Sequence, residues 1–136
     1  MIDLDKKTSI DLKASVESCV HREIYRTTKK EFILHAHTPF AVALSLVHKE
    51  KIVPLDSEGK LFLKDIPIIT GESGTEYLGN KLGFCMLKRN TVINKGHGIF
   101  SCAESIKEAF INIAMAEHAA KIIFLKTVYG KLLKLQ

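Results

Sequence analysis

No apolar run in the 136-residue sequence approaches the length needed to span a bilayer. Its start, Met1-Ile2-Asp3-Leu4-Asp5, is too acidic and too short for a secretory leader, so the expectation is a soluble cytoplasmic protein with no membrane partner. Cysteine is scarce. Cys19, Cys85 and Cys102 are odd in number and widely spaced, with no Cys-x-x-Cys pair, which argues against a disulfide frame or a cysteine zinc site and for buried free thiols. An Arg-rich tract is missing too. The 20 Lys and Arg residues, with a formal charge of +5, are spread along the chain without an aromatic-basic signature. Nucleic acid is therefore not expected as a partner, and the positive balance reads as a bias toward small anions. No internal repeat is apparent. What is present is ordinary globular composition, 46% hydrophobic and 26% charged, at a length that suits one domain over residues 1–136.

The organising stretch is Ile33-Leu34-His35-Ala36-His37-Thr38-Pro39. In an extended segment side chains alternate, so His35 and His37 share one face while Leu34 and Ala36 enter the opposite layer. Two imidazoles at this spacing either line a sheet face or, with a further ligand from elsewhere, hold a divalent ion such as zinc. Thr38 and Pro39 then open an apolar helix, Thr as cap and Pro at the first helical position. The histidine pair is thus placed where a strand, taken as central to the sheet, meets a helix.

Around that stretch the periodicity gives the other elements. Met1 to Asp5 alternates like a short strand. Val16, Val20 and Ile24 predict a helix over 15–26 with Ser15 as its cap and Glu17 in its first turn, where the amide dipoles alone would explain an acid. Residues 52–60 read as a loop containing Asp56, which nothing local separates from an ordinary turn aspartate, and Leu61-Phe62-Leu63 leads to a strand at 66–69. A helix is expected over 75–88 despite Gly79 and Gly83, then a strand at 91–94. Lys95-Gly96-His97-Gly98 follows, a histidine whose flanking glycines permit close backbone approach. After an extended stretch at 99–102, Ser105 and Glu108 form a capping-box pattern that opens a long helix. In it Glu117 and Lys121 have ion-pair spacing, His118 reads as a surface residue, and Gly130 is expected to interrupt before the leucine-rich end. His48 reads as a solvated helix-end residue.

These residues resemble, in order and at similar separations, the class II aldolase and adducin head family of fuculose-phosphate aldolases and ribulose-phosphate epimerases. The resemblance is carried by Ala14-Ser15-Val16-Glu17 with His21 and Tyr25, by His35-Ala36-His37-Thr38-Pro39, by Asn94-Lys95-Gly96-His97-Gly98-Ile99, and by 105–110 leading into Glu117-His118-Ala119-Ala120-Lys121. It implies a three-layer αβα sandwich around a mixed, mostly antiparallel sheet. It also implies zinc or another divalent cation on His35, His37, His97 and Glu17, with Glu17 doubling as catalytic base. The activity implied is cleavage of a ketose phosphate to dihydroxyacetone phosphate and an aldehyde, in a homotetramer, on a small phosphorylated sugar. An epimerase, a dehydratase or a non-catalytic adducin-like scaffold are the alternatives. The family's Gly-Asn-x-Ser and Thr-x-Ser-Gly phosphate loops have no counterpart in this sequence, leaving Ser15 as the phosphate contact. The family's tyrosine proton donor is likewise absent from its usual loop, where Asp56 stands, and Tyr129 is the tyrosine left to serve from a neighbouring subunit.

Overall fold

The computed structural model describes residues 3–7 and 9–135. A 3-10 turn at Ser9–Lys13 precedes α1 (Ser18–Thr28), β1 (Phe32–Ala36), α2 (Pro39–Val47), β2 (Lys51–Ile52), β3 (Ile66–Ile69), α3 (Glu76–Met86), β4 (Thr91–Asn94), β5 (Gly98–Ala103) and α4 (Ile106–Leu132). The five strands form one sheet in the order β1-β5-β4-β3-β2. Only β3 and β4 run parallel; the remaining neighbours are antiparallel. The sheet is therefore mixed and mostly antiparallel.

Alternation along the strands divides the core in two. Val20 and Ile24 of α1 and Leu78, Leu82 and Met86 of α3 pack on Ile33, Val92, Phe100 and Cys102. On the other face Ala41 and Leu44 of α2 and Ile113, Ala116 and Ala120 of α4 pack on Ile68, Ile93 and Ile99. Neighbouring residues of β5 thus feed opposite layers, as a period of two requires. The result is the three-layer αβα arrangement anticipated from the sequence.

α3 keeps its helical course through both glycines because α1 lies against it. A methyl group on Gly79 would come within 2.7 Å of the Glu23 Cβ and 2.9 Å of the Val20 carbonyl oxygen, and one on Gly83 within 2.8 Å of the Thr27 Cβ. The cost of glycine in a helix is offset here by close packing.

Several expectations need correction. The strand bearing His35 is at the edge of the sheet, not its centre, because β5 pairs with β1 on one side and β4 on the other. Met1 and Ile2 of the first anticipated strand lie outside the described residues, while 3–5 are not a strand, with a bend over 4–6. α1 begins at Ser18, a turn later than expected, so Glu17 is the residue before the helix. The 52–60 loop hides the two-residue strand β2, and 61–63 belong to a π-helical turn, Gly59–Leu63. Gly130 does not stop α4, which runs on to Leu132. All three cysteines are free, but only Cys102 is fully buried.

Candidate metal centre

His35 sits opposite Phe100 in the β1–β5 ladder, and its ring stacks on the Phe100 ring with centroids 4.0 Å apart. Its Nδ1 lies 2.9 Å from the Ile99 carbonyl oxygen. A carbonyl can only accept, so the proton is on Nδ1 and Nε2 carries the lone pair. Burial pushes the His35 pKa down to about 4; the Ile99 bond opposes this, and the neighbouring His97 and His37 add to it. The imidazole is therefore neutral at neutral pH, the form that ligates metals.

His37 follows directly after β1, and its Nε2 stands 3.0 Å from the Nε2 of His35. Two nitrogens on one tetrahedral zinc, each about 2.0–2.1 Å from it, are about 3.3 Å apart, so the pair already has the spacing of a chelate. His97 comes from the turn between β4 and β5, where Gly96 adopts a φ of 71° and the His97 amide donates to the Asn94 carbonyl. Its Nδ1 is 3.1 Å from the Ser73 hydroxyl oxygen. Asn94 braces the same corner by bonding the Gly71 amide and carbonyl with its side chain. The ligating atoms of His35, His37 and His97 all lie within 4.8 Å of one another.

Glu17 stands beside the group, in the turn before α1. Its Oε1 is 4.0 Å from the His97 Nε2, and the side chain is only 15% exposed. Its Oε2 is buried without a hydrogen-bond partner. A buried carboxylate oxygen with no donor is costly unless a cation or a protonated group meets it. The backbone is shaped to the same end: a methyl group on Gly98 would stand 2.8 Å from the His35 Cε1, 3.0 Å from the His37 Cδ2 and 2.7 Å from the Ala36 carbonyl. Three imidazoles, one orphaned carboxylate oxygen and a glycine that yields room to two of the rings fit a divalent ion of the zinc type.

Beside this group a cleft of about 660 Å³ is lined by Ser15, Glu17, Ser18, His21, Tyr25 and His35 among others. Desolvation lowers the pKa of His21, whose ring meets Phe100 edge-on. Ser15 reaches the cleft, and its hydroxyl oxygen is 3.3 Å from the Glu17 amide. Two candidates are not brought to the metal-capable group of this chain. Asp56 spends Oδ2 on the Gly59 amide at 2.7 Å, and Tyr129 is 68% exposed on the free end of α4, beyond Ala120, the last buried residue of that helix. Sequence reasoning missed Ser73, Phe100 and the Ile99 carbonyl. Asn94 and Ile99, both inside the His97 motif, carried a signal only as part of that motif.

The sequence profile described as the class II aldolase and adducin N-terminal domain matches residues 1–124. The chain belongs to that family. It is 30% identical over 132 residues to a protein of Methanocaldococcus jannaschii named L-fuculose phosphate aldolase, covering 96% of this chain and 71% of that one. A protein of the same name from Methanococcus maripaludis is 26% identical over 121 residues, covering 88% of this chain and 65% of its own length. The crystal structure of L-fuculose-1-phosphate aldolase from Thermus thermophilus matches with a TM-score of 0.89 at 31% identity, over 96% of this chain and 70% of that one. Part of each of these class II aldolases therefore has no counterpart in the present sequence. Class II aldolases are typically metal-dependent lyases, and the His35, His37 and His97 group is suited to hold such an ion.

Proposed function

We propose that this chain is a zinc-dependent sugar-phosphate aldolase of the L-fuculose-phosphate type, working in the cytoplasm as a homotetramer. The observation that supports the reading is the convergence of His35, His37 and His97 on one point, with the Glu17 carboxylate 4.0 Å from the His97 Nε2, beside a cleft. A divalent cation held there supplies electrostatic stabilisation to the negative charge that develops on the ketose oxygens as the carbon–carbon bond breaks.

The protein's own groups account for the rest. His35 and His37 present their Nε2 atoms in a fixed spacing, the first locked in its tautomer by Ile99. Glu17, with one oxygen facing His97 and the other unpartnered, takes up and returns the proton on the ketose-phosphate fragment. Ser15 offers a hydroxyl toward the phosphate. Asp56 and Tyr129 stand away from the histidines of their own chain, so either acts as proton donor only across a subunit boundary, which is one reason to propose the tetramer.

The test is release of dihydroxyacetone phosphate from L-fuculose 1-phosphate by zinc-loaded protein, with and without a chelator. Chelator-sensitive release is expected. Pentose-phosphate epimerisation or dehydration without cleavage would move the reaction to the neighbouring chemistries that use the same charge stabilisation. No turnover of any sugar phosphate would favour the adducin-like scaffold.

A further inference from the structure

α2 starts immediately after the metal-capable pair, yet its first turn lacks the local cap its sequence offers. Thr38 occupies the cap position, but its hydroxyl makes no capping bond and its Oγ1 is buried without a partner. The amides that such a hydroxyl would satisfy are taken by a distant acid. Glu117, on α4, accepts from the Phe40 amide at 3.0 Å through one carboxylate oxygen and from the Ala41 amide at 2.9 Å through the other. The Glu117–Lys121 ion pair read from the sequence does not describe this side chain; Lys121 instead lies over the Phe40 ring, 5.7 Å from its centroid.

We propose that Glu117 is a positioning residue for His37, holding that imidazole at the metal-binding point by fixing the start of α2. The inference rests on the reading of His35, His37 and His97 as metal ligands. His37 lies outside any regular element, between the last β1 ladder pair, Ala36 with Ile99, and Pro39 at the start of α2. It is also exposed, its ring contacts being with the other two imidazoles, His35 and His97. Its backbone is suspended between two anchors, the sheet on one side and the double bond to Glu117 on the other. Release of the second anchor leaves the His37 Nε2 free to drift from its 3.0 Å approach to His35. Charge acts in the same direction. A helix N-terminus carries partial positive charge, which opposes a cation bound one residue away, and a carboxylate bonded to its free amides neutralises it.

The experiment measures zinc affinity by competition with a chromophoric chelator, alongside thermal unfolding, for the wild type, Glu117→Ala, Glu117→Gln, Asp65→Ala and the double variant Glu117→Ala with Thr38→Asn. Loss of an outer residue that orients a ligand typically weakens metal binding by about 10–100-fold. Glu117→Ala is expected to fall in that range. Glu117→Gln, which keeps one oxygen acceptor for two amides, should fall between it and the wild type. Asp65→Ala removes the ion pairs with Arg89 and Lys51 beside the start of β3, at the end of the strand away from Asn94, and should leave zinc affinity unchanged, which separates positioning from loss of stability. Asn is a stronger cap than Thr, so Thr38→Asn should restore most of the affinity lost with Glu117→Ala. Wild-type affinity in Glu117→Ala, or the same loss in Asp65→Ala, overturns the inference while leaving the metal site standing. Absence of zinc binding by the wild type overturns both together.

Discussion

The Nδ1 of His35 and the carbonyl oxygen of Ile99, 64 residues later, form a 2.9 Å hydrogen bond that decides which nitrogen of the ring is available. Because burial holds the folded-state pKa at about 4, below the ordinary 6.5, the unfolded chain binds more protons between those values. The metal-free protein should therefore keep this contribution above pH 6.5 and lose stability as the pH falls toward about 4. His21, lowered by desolvation, acts in the same direction. Thermal unfolding of the metal-free protein across that range checks this, and His35→Gln should flatten part of the decline.

Gly98 is required by what stands around it. The missing side chain would collide with the Ala36 carbonyl and with both early imidazoles at 2.7–3.0 Å. Gly98→Ala must displace a β1–β5 backbone contact or two rings, at a cost of about 1–3 kcal/mol. It should also weaken metal binding at least as much as loss of an outer-shell partner. Unfolding by denaturant and chelator competition on the same preparation measure the two effects.

Two helical glycines predict opposite outcomes for one substitution. Gly79 is packed against Val20 and Glu23, whereas no atom lies within 4 Å of a methyl group placed on Gly130. Gly79→Ala should destabilise the fold by about 1–3 kcal/mol through overpacking. Gly130→Ala should stabilise it by about 0.5–1 kcal/mol, because alanine is the better residue in an exposed helix. A pair of denaturant curves, with opposite shifts in midpoint, checks both.

What was legible in the sequence follows from what is local. The capping pair of α4 could be read directly, since Ser105 accepts from the Glu108 amide as its spacing suggests. So could Pro39 at the start of α2, and the shared face of His35 and His37, because each depends on neighbours a few residues apart. The edge position of β1 was not legible. It depends on which strands flank β5, and strand order leaves no mark in the periodicity of a single strand. Nor could the capping of α2 be read, since Thr38 has the right residue type in the right place and the bond is made instead by Glu117 across the tertiary structure. β2 was missed because two residues are too few to show alternation. In the metal centre the histidines were visible as motifs, whereas Ser73, which meets the His97 Nδ1, belongs to a loop whose Gly71-Glu72-Ser73-Gly74 composition signals only a turn.

The central claim is that three imidazoles and Glu17 form one metal site, and the most direct measurement is the metal content of protein purified without a histidine tag. About one equivalent of zinc per chain is predicted for the wild type, and close to none for His37→Ala or His97→Ala with helical circular dichroism retained. Less than about half an equivalent in the wild type after incubation with zinc, or unchanged content in His37→Ala, would contradict the account.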